Sequence, residues 1–150
     1  MQFIGDKINE LRSDINDNVR FTAGVHITRL STRGYKRVSC VNKNKISEKK
    51  KAIAILTIPP GSIVVKPFHG VDQARTDRVY VEKIEDMDGN ILDNHICEST
   101  AHYNGVFYRK GAIVMPRNGD PLDVDPSEIH VSGIHLFFHK ESARNRFIGS

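Results

Sequence analysis

The chain has 150 residues, 39% hydrophobic and 27% charged, with 22 Lys and Arg against 18 Asp and Glu for a net charge of +4. That length supports one hydrophobic core rather than two, so a single domain over 1–150 is expected, with 1–20 as an N-terminal helix and 21–150 as a β-rich body. No apolar run approaches the ~20 residues of a membrane-spanning helix, and the first residues lack a secretory signal pattern, so neither a membrane protein nor a secreted one is expected.

Ile4, Ile8, Leu11 and Ile15 fall at helical spacing with polar residues between them, which predicts a helix over 3–18. The cluster from Asp14 to Asn18 favours a turn, because Asn and Asp side chains compete for local backbone groups. From there the period changes to two. Short β-branched runs predict strands at Val25 to Leu30, Arg37 to Val41, Ala52 to Ile58, Ile63 to Val65 and Arg78 to Ile84. Further strands are predicted at Val106 to Tyr108, Ala112 to Met115 and Ile129 to Phe138. Pro59-Pro60-Gly61 and Asp88-Gly89-Asn90 mark turns, and the Pro- and Asp-rich stretch from Pro116 to Pro126 predicts a long loop. Glu141 to Phe147 predicts a short closing helix whose Phe147 packs back onto the sheet. The fold class is therefore α+β: an N-terminal helix, a mainly antiparallel sheet or open barrel, and a short C-terminal helix.

The excess charge is concentrated. Arg29, Arg33, Lys36, Arg37, Lys43, Lys45, Lys49, Lys50 and Lys51 stand against the single acid Glu48, a block able to neutralise phosphates and release counterions. Arg33, Lys36, Arg37, Lys43, Lys45, Lys49, Lys50 and Lys51 are the candidate contacts to nucleic acid or another acidic partner. The plainer alternative is a hydrated loop, Lys43 to Lys51, connecting two strands and keeping a sheet edge soluble.

Seven histidines invite a metal or acid-base reading. None has HExxH spacing, and His130 and His135 would face opposite sides of an uninterrupted strand, so no metal site and no cofactor is expected. A histidine base needs a partner to fix its tautomer, and the sequence contains no phosphate loop, nucleophile elbow or paired carboxylates to supply a reaction. Cys40 and Cys97 form neither a CxxC pair nor a zinc spacing, so free thiols are expected.

Several segments resemble, in order, a domain of unknown function found mainly in large DNA viruses, often in front of pentapeptide repeats, and more loosely in phage proteins. They are Tyr35-Lys36, Ile55-Leu-Thr-Ile-Pro-Pro-Gly-Ser62, Ala74-Arg-Thr-Asp-Arg-Val79, Glu98-Ser-Thr-Ala-His102, Phe107-Tyr-Arg-Lys-Gly-Ala-Ile-Val114 and Ser132-Gly-Ile-His-Leu-Phe-Phe138. The match runs approximately from Tyr35 to Arg144. Where that family usually carries a cysteine, this chain has His130 or Ala74, and Tyr103 replaces the carboxylate that usually follows the histidine matching His102. The resemblance implies a viral origin and a shared fold, and no reaction. A fainter similarity links Phe68-His69-Gly70 and Gly133-Ile134-His135 with Ser142-Ala143 to ADP-ribosyltransferases.

Two functions are therefore expected to compete. The first is a non-enzymatic viral binding or adaptor module, monomeric or homo-oligomeric, in the host cytoplasm, nucleus or virion, whose basic segment meets an acidic nucleic acid or protein. The second is a small enzyme centred on Arg75, His102 and His135, ADP-ribosyltransferase-like in one version, which requires those side chains to converge.

Overall fold

Alternation with period two governs the computed structural model, which describes residues 21–68, 72–99, 106–116, 122–127 and 132–145. The strands are β1 (Gly24–Ile27), β2 (Thr32–Asn42), β3 (Lys45–Ile58), β4 (Ile63–Lys66), β5 (Gln73–Thr76), β6 (Val79–Asp86), β7 (His95–Ser99), β8 (Phe107–Tyr108), β9 (Ile113–Val114) and β10 (Ile134–Phe137). One short helix, α1 (Lys140–Asn145), follows them. They form one open antiparallel sheet in the order β1-β4-β5-β10-β2-β3-β6-β9, with β7 paired to β2 and to β8. The mainly antiparallel sheet and short closing helix match expectation. The predicted helix over 3–18, the turn from Asp14 to Asn18 and the packing of Phe147 fall outside the described residues.

Alternation explains the faces. Along β2, Thr32, Gly34, Lys36, Val38 and Cys40 are buried while the residues between them are half-buried. Along β3, Ala52 to Thr57 are buried on both faces, as suits a strand in the middle of a sheet. One face carries the main core, including Val38, Leu56, Ile58, Val64, Ile134, Leu136 and Phe138. Each such aliphatic side chain contributes about 1.5–3 kcal/mol on burial. The other face carries a smaller core of Ile53, Phe137 and Ala143, with Tyr35 and Met87 against it. Ala143 belongs to α1, so its small side chain lets the helix lie close to the sheet.

Polar tethers fix the loops. Thr28 donates its Oγ1 to Pro59 O at 2.8 Å and its amide to Ser62 O at 2.9 Å, pinning the Pro59 to Ser62 turn, where Gly61 adopts φ +83°. Asp72 accepts the His139 amide on Oδ2 at 3.0 Å and the His139 ring on Oδ1 at 2.5 Å, which holds the entry to α1. Lys140 forms an ion pair with the buried Glu85, and Arg37 donates to Arg144 O at 3.0 Å at the other end of the helix.

Three expectations need correction. Cys40 and Cys97 are not free thiols: they face each other across β2 and β7 with a Cα separation of 4.0 Å and are joined by a disulfide. Their 57-residue separation hides in the sequence what the strand register brings together. Lys43 to Lys51 is not a connecting loop, because β3 begins at Lys45 and the hairpin turns at Lys43 and Asn44. Two strands were also missed: β5, whose Arg75 and Thr76 are polar yet buried, and β7, whose buried residue is Cys97.

Candidate functional site

The fold divides the sequence-predicted basic residues among different environments. Lys36 points to the core face and is only 3% exposed, so it is no part of a cationic surface. Arg37 is half-buried and engaged with the carbonyl of Arg144. Arg33 is half-buried on β2, opposite Thr57. Lys43, Lys45, Lys49, Lys50 and Lys51 remain exposed at the free end of the β2–β3 hairpin. Strand alternation sends Lys49 and Lys51 to one face and Lys50 to the other, where its Nζ lies 3.4 Å from Asp86 Oδ2 and its side chain stays 56% exposed. Asp86 also closes its own turn, accepting amides from Asp88 and Asn90 at 2.9 Å each; the Asn90 amide foremost holds its carboxyl below the usual range. Beside Lys50, a cleft of about 360 Å³ is lined by Asn42, Asn44, Lys45, Glu48, Lys50 and His95.

Arg75 and His135 are cross-strand partners on β5 and β10, so their side chains share one face of the sheet. Arg75 is 0% exposed, donating from Nε to Asp123 O at 2.9 Å and from Nη2 to Asp125 O at 2.6 Å. Its guanidinium thus ties down the segment 122–127 from below. Gly133 makes room for this: it adopts φ +136°, and a Cβ there would lie 2.6 Å from Leu122 Cδ1 and 3.1 Å from Arg75 Cβ. His135 is 8% exposed. His102, the third member of the expected enzyme centre, and His69 and His130 fall outside the described residues. The sheet thus brings Arg75 and His135 together but commits the arginine fork to backbone carbonyls. Among the described residues, no group of three or more His, Cys, Asp and Glu side chains is placed to hold a metal ion.

A residue that charge counting misplaced is the most unusual chemically. Lys36 sits where β2 exchanges one neighbour for another: Tyr35 pairs with Phe137 of β10, and from Val38 onward β2 pairs with β7. At this fork its Nζ donates to His135 O at 2.8 Å and lies 5.8 Å from the centre of the Tyr108 ring. Burial pushes the ammonium down from its usual 10.5 to about 7. The unfolded chain keeps that proton to about 10.5, so between those two pH values unfolding takes up a proton and stability rises with pH. The expected slope from this group approaches about 1.4 kcal/mol per pH unit. Urea unfolding of the wild type and of Lys36→Met between pH 7 and pH 9 tests it: the variant should lose the slope, and parallel curves would refute the assignment. The available signal was period-two alternation along β2, since Lys36 falls in phase with the apolar Val38 and Cys40.

Fold and site together define a small open-sheet β protein with an internally braced Arg–His corner and a cationic hairpin, and none of its described helices is long and apolar enough to cross a membrane. The chain belongs to a family of unknown function, DUF5758, which matches residues 21–143. It is similar to uncharacterised protein L223 of Acanthamoeba polyphaga mimivirus, 32% identical with 82% of this chain and 88% of the relative covered. Uncharacterised protein L796 of the same virus is 32% identical, covering 90% and 88%, and uncharacterised protein L87 is 36% identical, covering 79% and 73%. No solved structure matches the chain. The viral domain of unknown function implied by the motifs is thus the family to which the chain belongs.

Proposed function

We propose that this viral domain is a non-enzymatic binding or adaptor module whose β2–β3 hairpin contacts an acidic partner. The observation that carries this reading is the cluster of Lys43, Lys45, Lys49, Lys50 and Lys51, all exposed at one end of the β2–β3 hairpin with Glu48 as the acid among them. Cations held on a strand keep a fixed spacing, which suits them to a patterned anionic surface better than a mobile loop would. The enclosure of Arg75 supports a binding role over a reaction, because its Nε and Nη2 donors already hold the backbone of 122–127.

Reversing three charges gives the test. Lys49→Glu, Lys50→Glu and Lys51→Glu combined should abolish retention on an acidic matrix or duplex DNA at low salt, with the circular dichroism spectrum unchanged. Retention equal to that of the wild type would sink the proposal.

A further inference from the structure

The hairpin has an open edge as well as a charged surface. β6 accompanies β3 only as far as the pair Ala52↔Asp86, where the chain turns away, whereas β3 continues to Lys45. Among the described residues, 49–51 therefore pair with β2 on one side and with no strand on the other, and beyond Lys49 the register shifts to the pair Asn42↔Lys45. The ladder shows which groups face outward. Asp86 donates its amide to Asn90 O at 2.8 Å rather than across to β3, so Ala52↔Asp86 is a non-hydrogen-bonded pair and the amide of Ala52 faces β2. Backbone direction alternates along a strand, so Lys49 and Lys51 turn their N–H and C=O groups to the open edge while Lys50 turns its own toward Cys40. The 4.0 Å Cα separation of Cys40 and Cys97 gives the same phase from the far side of β2, since so close a pair is the non-hydrogen-bonded kind.

We propose that the outer edge of β3 over 49–51 is a strand-addition site for an extended acidic segment of a partner protein. The proposal rests on the basic-hairpin reading and specifies its partner. Outward backbone groups at Lys49 and Lys51 offer the ladder, and the two ammonium groups project from the same face about 7 Å apart along the strand. An incoming strand with a carboxylate at every second residue places its acids against them. A second copy of this edge would set lysine against lysine, which discourages self-pairing. Nucleic acid would use the ammonium groups but not the outward amides.

The test is fluorescence anisotropy of the full chain with a labelled peptide of alternating glutamate and threonine. Lys49→Gln removes a charge and keeps the outward N–H, whereas Lys49→Pro removes both and leaves the ladder to β2 intact. Binding should weaken about threefold in the first variant and about tenfold or more in the second. Equal losses would overturn strand addition. The wild type supplies a measurement independent of proline: bound peptide should slow amide exchange at Lys49 and Lys51, and unchanged exchange at both would overturn the proposal. Duplex DNA is titrated in parallel. DNA binding without peptide binding would overturn strand addition while leaving the cationic hairpin as a contact surface. Binding of neither would remove both.

Discussion

Gly133→Ala is expected to lose roughly 2–4 kcal/mol of stability, among the largest effects of any single-atom change in this chain. Two causes add. The backbone at φ +136° lies in a region that L residues rarely adopt, and the new methyl would press to 2.6 Å from Leu122 Cδ1 and 3.1 Å from Arg75 Cβ. Leu122 can swing aside, but the Arg75 Cβ is fixed by its strand, and moving it would pull the guanidinium away from the carbonyls of Asp123 and Asp125. Those carbonyls would then lose their charge-assisted partners. Gly34→Ala is the control. Gly34 lacks the positive φ, and the three atoms nearest its Cβ would all belong to the flexible side chain of Leu136, from 3.1 Å, so a cost of about 1 kcal/mol is expected. Urea midpoints for the two variants decide the matter: equal losses would show that the backbone conformation at Gly133 contributes nothing.

Reducing the Cys40–Cys97 bond should destabilise the domain by up to about 4 kcal/mol, the loop-closure value for cysteines 57 residues apart. The loss should be localised, because among the described residues β7 joins the sheet only through β2 and through the two-residue strand β8. Once the crosslink opens, the edge at β7 depends on short ladders and on the burial of Cys97 and Tyr108. Urea unfolding with and without a strong reductant measures the total, and amide exchange at Ile96 and Glu98 measures the local part. Identical midpoints, together with two alkylatable thiols in protein never exposed to reductant, would remove the bond from the account.

Much of the sheet was legible because its central strands obey a simple rule. Ala52 to Ile58 and Ile134 to Phe138 are mostly apolar and rich in β-branched or aromatic residues, and they form strands near where the pattern puts them. β5 escaped because Gln73-Ala-Arg-Thr carries its burial in polar groups: Arg75 is satisfied by loop carbonyls and Thr76 by Ile63 O at 2.7 Å. Such partners belong to distant segments and leave no trace in local hydropathy. The basic block was legible as a block, but not the division that removes Lys36 to the interior and sets Lys49 and Lys51 apart from Lys50. That division follows from strand phase, which the expectation of a loop concealed. The disulfide was hidden for a related reason, since only the register of β7 on β2 places Cys97 opposite Cys40.

The place of β10 in the sheet has a consequence for how the chain can assemble. It is the last of the described strands in sequence, yet it lies between β5 and β2. Without it, β1, β4 and β5 form one antiparallel ribbon and β2, β3, β6 and β9 another, with no ladder between them among the described residues. The β2–β3 and β4–β5 hairpins are local and can form early, but the Lys36 bond to His135 O spans 99 residues and closes only when β10 arrives. Synthesis on the ribosome would therefore present two half-sheets before β10 joins them, through four pairs to β5 and the single pair Phe137↔Tyr35 to β2.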